Sequence, residues 1–97
     1  MNNFNPSKFD DLVLSRVRLG ILALLVNGDE MSFTYLREAL KLTDGNLSVQ
    51  IRKLEEAKHV KVKKTFVDRK PKTFYKITPK GRKAVKSLVE ELENLLK

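Results

Sequence analysis

The feature that most constrains this chain is RVRLGILALLVN at residues 16 to 27, a helix-length segment that is apolar on almost every side. A helix of that kind is stable only when other elements surround it. A chain of 97 residues can bury one such core and has little left for a second. No repeat, low-complexity segment or flexible linker interrupts the sequence. We therefore predict a single domain, residues 1 to 97, packed around this helix.

The segments next to the central helix predict how it begins and ends. Gly28 is expected to end it, because glycine accepts the left-handed conformation common at helix C-termini. Residues 1 to 14 predict a short leading helix. It is expected to start near Ser7, since Asn5-Pro6 disfavours helix and a serine can cap the turn that follows.

Two shorter helices are predicted next. Residues 31 to 42 have helical spacing of apolar residues, with Ser32 or Thr34 as the capping residue. Thr43-Asp44-Gly45 is expected to break the helix and to supply the cap of the next one. The pair predicts a helix-turn-helix over residues 31 to 58.

The remainder predicts a hairpin and a final helix. Residues 60 to 67 and 73 to 78 are rich in β-branched and aromatic residues, and residues 68 to 72 between them are typical of a turn. Together they form a predicted wing over residues 60 to 78, followed by a C-terminal helix over residues 79 to 97. The expected fold is mainly α with a β-hairpin wing, that is, a winged helix-turn-helix dimerising through its terminal helices.

The net charge of +8 is concentrated in one region. Residues 52 to 86 carry fourteen Lys/Arg and three Asp/Glu, whereas the flanking segments are slightly acidic. Charge concentrated in this way attracts polyanions, of which nucleic acids are the most abundant in the cytoplasm. The alternative is a lysine-rich surface that is merely solvated.

Composition excludes several classes of protein. The sequence has no cysteine, so a disulfide framework, a thiolate metal site and a cysteine nucleophile are excluded. His59 is the only histidine and is interpreted as a turn residue, because it lacks neighbours for a metal site or catalytic triad. No phosphate-cradling glycine loop occurs. We expect a protein that is not an enzyme and has no cofactor or metal.

The start of the sequence indicates location. Acidic residues stand where a secretory signal needs an apolar core, and the longest apolar run, residues 19 to 26, is too short to span a membrane. The chain is therefore expected to be cytoplasmic, with no membrane partner.

The second helix of the predicted helix-turn-helix carries a candidate DNA-reading surface. If Leu47, Ile51 and Leu54 face inward, the step of about 100° per residue turns a mostly polar set outward. Such a helix fits the major groove, where every base pair displays a distinguishable edge. The predicted contacts on this helix are Asn46, Ser48, Val49, Arg52 and Lys53. A polar outer face is also what any surface helix has.

The predicted wing adds a basic tip. Arg69, Lys70 and Lys72 lie close together, where an arginine could enter a narrow minor groove and lysines could neutralise phosphates. We also assign Ser32 and Thr34 to the DNA-binding surface. The alternative for the wing lysines is protection of a β-edge against aggregation.

These residues resemble a known family. The stretch GNLSVQIRKLEEAKHVKVKKTFVDRKPKTFYKITPKGRKAV is similar to the recognition helix, wing and following helix of small winged-helix regulators related to the MarR and ArsR groups, and RVRLGILALL resembles their first core helix. The resemblance covers residues 16 to about 92. It implies a winged helix, a dimeric transcriptional regulator, and DNA at or near Asn46, Ser48, Gln50, Arg52 and Lys53.

Two departures from the family pattern stand out. Gln50 occupies a position where many relatives have histidine, which is expected to alter base preference. Lys58-His59 stands where relatives commonly have glycine and an aromatic residue, so a non-glycine residue must end the recognition helix, with positive φ as one possibility.

The last helix carries an apolar stripe that a small core is not expected to cover. Packing the two ends of the chain against a second copy would bury the stripe and set two recognition helices about 34 Å apart. The alternative is that the stripe folds back on the chain's own first helix. The predicted dimer interface consists of Phe4, Phe9, Leu12, Leu88, Val89, Leu92, Leu95 and Leu96.

The sequence predicts a homodimeric, sequence-specific regulator that binds double-stranded DNA. Two alternatives remain at this point: a winged-helix module for protein interaction, and an architectural DNA binder without sequence preference. An apolar effector at the dimer interface also remains open.

Overall fold

The computed structural model describes residues 15–28 and 30–97, which form four helices and three strands. In chain order these are α1 Arg16–Val26, β1 Met31–Ser32, α2 Phe33–Leu40, α3 Asp44–Glu56, β2 Val60–Val67, β3 Lys70–Ile77 and α4 Pro79–Leu95. The predicted leading helix at residues 1 to 14, with Phe4, Phe9 and Leu12, lies outside the described residues. None of the described helices has both the length and the apolar character needed to cross a membrane.

The core is built around α1, as the sequence predicts. Ile21, Leu22 and Leu25 have no exposed surface. Burying one side chain of this size stabilises the fold by about 1.5–3 kcal/mol. The surrounding buried residues come from every later helix and from the two wing strands: Leu36, Leu47, Ile51, Leu54, Val60, Tyr75, Ile77 and Leu88.

A short strand replaces the predicted start of the second helix. Met31 and Ser32 pair antiparallel with Tyr75 and Phe74 of β3, which makes β3 the middle strand in the order β1-β3-β2. The helix begins only at Phe33, and its cap is Ser32, whose Oγ accepts from the amide of Tyr35 at 3.0 Å. Thr34 is therefore not the cap. The prediction was wrong here because the pairing partner is distant in sequence.

The turn between α2 and α3 lies earlier than predicted. Lys41 ends α2 in the left-handed conformation, with φ of 55°, and Thr43 already caps α3 by accepting from the amide of Asn46 at 3.1 Å. Gly45, predicted in the break, lies within the first turn of α3. The helix α1 ends at Val26 with Asn27 as its C-cap, next to Gly28 as predicted. Gly28 does not adopt the expected left-handed conformation, since none of the described glycines has a positive φ.

The second strand of the wing begins earlier than predicted, at Lys70, and the turn is correspondingly tighter. The turn contains only Asp68 and Arg69, with φ of 52° and 65°, and Val67 pairs with Lys70. Positive φ at both positions is typical of the turn that suits a two-residue hairpin. Pro71 belongs to β3 opposite Phe66. A proline fits there because antiparallel pairs alternate, and the second pair from the turn exchanges no backbone hydrogen bonds.

The end of α3 confirms that a non-glycine residue adopts positive φ there. Lys58 has φ of 64°, and its amide donates to the carbonyl of Glu55 at 2.9 Å. The amide of His59 donates to the carbonyl of Leu54 at 2.9 Å, which completes a Schellman motif. His59 follows the helix as expected, but its side chain is only 1% exposed.

The segment TPKGR at the start of α4 fastens the end of α3 to the base of the wing. Thr78 Oγ1 donates to the carbonyl of Lys58 at 2.7 Å and accepts from the amide of Gly81 at 3.0 Å. Lys80 Nζ donates to the carbonyl of Ala57 at 2.9 Å. A Cβ on Gly81 would lie 2.3 Å from the His59 carbonyl oxygen, so only glycine allows this approach.

The apolar stripe of α4 divides into two halves. Leu88 is 6% exposed and packs with Ala84 and Val85 against the core. The expectation that Leu88 needs a second copy to leave water is therefore wrong. The C-terminal half remains accessible: Val89, Leu92 and Leu96 are exposed, and Leu95 is half-buried.

Candidate nucleic-acid interface

The fold turns one face of α3 towards solvent. Leu47, Ile51 and Leu54 are buried on the inner side and fix the rotation of the helix. The predicted contacts on the opposite side are exposed, and Val49, an apolar side chain at 48% exposure, is among them. This surface, called the outer face of α3 below, contains Asn46, Val49, Arg52 and Lys53.

Asp44, the acidic residue in the first turn of α3, forms an ion pair with a residue of α2. Arg37 Nη1 of α2 donates to Asp44 Oδ1 at 2.7 Å. This hydrogen bond and the charge of Asp44 raise the pKa of Arg37 above its ordinary value. The carboxylate that would otherwise repel a phosphate at the start of the helix is thus paired.

Ser48 and Gln50 lie on the two flanks of α3 and both are half-buried. Ser48 lines a groove towards the wing. Gln50 faces α1, where its Oε1 accepts from Arg18 Nη1 at 2.7 Å. Gln50 is therefore held within the chain and does not belong to the outer face.

A groove lies between α3 and the wing. Ser48 and Arg52 line its helix side, and Lys64 and Thr73 line its wing side. Tyr75 lies in its wall beside Glu55. Burial, with the charge of Glu55 adding to it, raises the pKa of the Tyr75 hydroxyl above its ordinary value.

The wing has two chemically different faces, because cross-strand partners share a face and successive residues alternate. The register places five lysines on the face turned away from α3: Lys61, Lys63, Lys70, Lys72 and Lys76. Lys63 Nζ lies 3.5 Å from Glu30 Oε1. The other face carries Lys64 and Phe66, and Arg69 lies in the turn.

A second groove brings four predicted residues together. Ser32 and Thr34 at the start of α2 line it with Lys70 and Lys72. The predicted site thus falls into two neighbouring clusters, one on α3 and one between α2 and the wing. Within the described chain, no salt bridge engages the predicted cations Arg52, Lys53, Arg69, Lys70 and Lys72.

Three residues of this surface were not predicted from the sequence. Lys64 lines the groove, and Phe66, 73% exposed, stands two residues before the wing turn. The length of the turn sets the pairing register of the two strands. With the observed turn of Asp68 and Arg69, that register puts Lys64 and Phe66 on the α3 side, which the longer predicted turn did not indicate. Arg18 gave no local signal, since its contact with Gln50 joins different helices.

The described residues contain no group of three or more His, Cys, Asp or Glu side chains that could hold a metal ion. The chemistry available at this surface is hydrogen-bond donation, positive charge and a few apolar contacts.

This chain is similar to several known proteins. The family profile described as a winged helix DNA-binding domain matches residues 17–96. An uncharacterized protein of Methanocaldococcus jannaschii is 47% identical over 83 residues, which cover 86% of this chain and 90% of that protein.

Solved structures extend the comparison. A transcriptional regulator homologue from Pyrococcus horikoshii OT3 is 34% identical with a TM-score of 0.81, over 88% of this chain and 84% of that one. A regulator of the MarR family from Enterococcus faecalis V583 is 22% identical with a TM-score of 0.75, over 84% and 74% of the two chains, and shows the shared fold.

The chain belongs to the winged helix DNA-binding domain family. Its solved structural neighbours include this transcriptional regulator homologue and this regulator of the MarR family. The expected winged helix-turn-helix fold and the expected resemblance are both confirmed, whereas dimerisation through the terminal helices stays a prediction.

Proposed function

We propose that this chain is a cytoplasmic transcriptional regulator that binds specific double-stranded DNA sequences as a homodimer. The observation that carries the proposal is the outer face of α3, which is exposed beside a basic wing and whose cations make no ion pair in the described chain. Exposed cations with no ion pair among the described residues are available to phosphates and base edges.

The outer face of α3 supplies the base contacts in this proposal. Arg52 and Lys53 can donate to O6 and N7 of guanine, and the Val49 side chain can contact a thymine methyl group. Ser48 in the adjoining groove can donate to either a base or a phosphate. These groups sit on a helix whose position is fixed by buried residues, which selective base contacts require.

The wing supplies charge. Lys70 and Lys72 share a groove with Ser32 and Thr34, which gives a phosphate two cations and two hydroxyl-bearing residues. Arg69 at the turn can enter a minor groove, where a narrow groove strengthens the negative potential. Each phosphate neutralised releases counterions, so this part of the affinity falls steeply with salt.

The homodimer rests on the C-terminal half of α4. Val89, Leu92 and Leu96 continue the stripe that Leu88 buries in the core, yet they are 47%, 46% and 89% exposed. A second copy packed against this half would remove the apolar surface from water. It would also present two α3 helices to successive major grooves.

Selection of bound sequences from a random duplex pool, using the purified full chain, tests the function. We expect enrichment of a palindromic sequence with half-sites about 10 base pairs apart. Duplex binding without enrichment would indicate the architectural alternative. No duplex binding at low salt would indicate a module for protein interaction, and either result would overturn the proposal.

A further inference from the structure

Gln50, Arg18 and Asn46 form a chain of hydrogen bonds from α1 to the outer face of α3. Arg18 Nη1 donates to Gln50 Oε1 at 2.7 Å. Gln50 Nε2 in turn donates to Asn46 Oδ1 at 3.5 Å, one helical turn away. We call these three residues the amide relay.

The chemistry of the first residue fixes the direction of the whole relay. A guanidinium only donates, so the atom of Gln50 that faces Arg18 must be its oxygen. The amide nitrogen of Gln50 then donates to Asn46, which accepts with its side-chain oxygen. Because the two amide atoms of Asn46 lie on opposite sides of Cγ, its Nδ2 group is left to donate away from the relay.

We propose that Arg18 is a positioning residue that sets the base preference at Asn46, an inference that rests on the proposed DNA-binding function. An asparagine reads adenine by donating to N7 while accepting from N6, which needs its oxygen and nitrogen together. The relay turns the oxygen of Asn46 towards Gln50 and presents the nitrogen as donor. Asn46 therefore selects guanine, whose N7 and O6 both accept, over adenine.

Gln50→Glu is the decisive variant, because it reverses the relay without removing it. The new carboxylate still accepts from Arg18 but cannot donate, so Asn46 must turn its nitrogen inwards and its oxygen outwards. The preferred base should change from guanine to one that presents a donor, cytosine or adenine. We expect guanine preference at that base pair to fall by about tenfold, the scale of one good base contact.

Arg18→Met removes the guanidinium that fixes the relay. Without it both amides can rotate, and discrimination between guanine and adenine at the Asn46 position should fall by about fivefold. The matched control is Arg16→Met, which removes the same charge from an exposed position on the same helix. Arg16→Met should leave base preference unchanged. Because both variants lose one positive charge, each should lower the affinity for random DNA by the same small amount.

The experiment is selection from a random duplex pool with the wild type and the three variants, after thermal melts establish that each is folded. A change of preferred base with Gln50→Glu at one base pair of each half-site supports the relay. If the wild type enriches an operator and both Gln50→Glu and Arg18→Met enrich the same bases at every position, the relay proposal is wrong and the proposed function stands. If the wild type enriches nothing, sequence-specific binding itself fails.

Discussion

The α3 helix and the wing are anchored very differently. Three buried side chains, Leu47, Ile51 and Leu54, hold α3 along its length, and both of its ends are capped. The wing is held only at its base, through residues such as Val60 and Tyr75, and beyond them both of its faces are mostly exposed. Base reading needs side chains in fixed positions, whereas phosphate neutralisation needs only charge within reach.

The α3 helix and the wing also differ in their content of charged residues. The segment of α3, Asp44–Glu56, has two Lys/Arg and three Asp/Glu, whereas residues 60 to 77 have seven and one. In the proposed complex, sequence-independent attraction to DNA is therefore expected mainly from the wing and its surroundings, and less from α3. In the proposed function, the helix therefore supplies selectivity and the wing supplies salt-dependent affinity.

The largest expected effect comes from breaking the proposed dimer, in which two copies of the helix and wing would bind each operator. Leu92→Glu places a carboxylate on the exposed half of the α4 stripe, where it would have to be desolvated in the interface. We expect monomers in sedimentation at micromolar concentration. Affinity for a palindromic operator should fall by about a hundredfold or more as avidity is lost.

Ser87→Glu is the matched control, because this exposed residue of α4 lies off the apolar stripe. It should leave the oligomeric state unchanged. A wild type that sediments as a monomer at the same concentration would contradict the dimer.

The next effect concerns the junction that α3 and the wing share. Gly81→Ala would drive a Cβ into the backbone of His59, so the end of α3 and the base of the wing could not both keep their positions. We expect a loss of about 2 kcal/mol in the free energy of unfolding, measured by urea titration. Gly45→Ala is the control, since nothing lies within 4 Å of its added Cβ, and it should be neutral or stabilising. Equal free energies of unfolding for the two variants would contradict the close approach of Gly81 to the His59 backbone.

The smallest effect concerns the wall of the groove between helix and wing. The pKa of Tyr75 is raised in the folded chain, first by burial and then by the charge of Glu55. Stability from the neutral hydroxyl is therefore complete below the unfolded value near 10 and is lost as pH rises through the higher folded value. Tyr75→Phe should remove this loss of stability at high pH. At pH 7 its melting temperature should match that of the wild type. Thermal melts between pH 9 and 11 measure this difference. Melting temperatures that fall equally with pH in both proteins would contradict the prediction.

The sequence predicts most of the helical framework because its signals are local. Leu47, Ile51 and Leu54 recur at helical spacing, and the structure buries all three. The capping role of Thr43 also depends only on the residues that immediately follow it.

What the sequence misses depends on contacts between distant segments. Met31 becomes a strand residue only because β3 supplies its partner, Tyr75. Arg18 reaches Gln50 across 32 positions of sequence, and neither residue shows this in its own neighbourhood. Leu88 lies on the same helical stripe as Leu92, and only the length of the core decides which of them is covered.

The central claim, that α3 reads bases and the wing neutralises phosphates, is tested most directly by salt titration of two variants on operator and random duplex DNA. Arg52→Ala should lose about 1–3 kcal/mol on the operator, with relaxed preference at one position and little change on random DNA. Lys70→Ala should weaken binding to both DNAs alike and flatten the slope of log K against log salt by about 1. Equal losses on both DNAs from Arg52→Ala, with base preference unchanged, would contradict the division of roles between helix and wing.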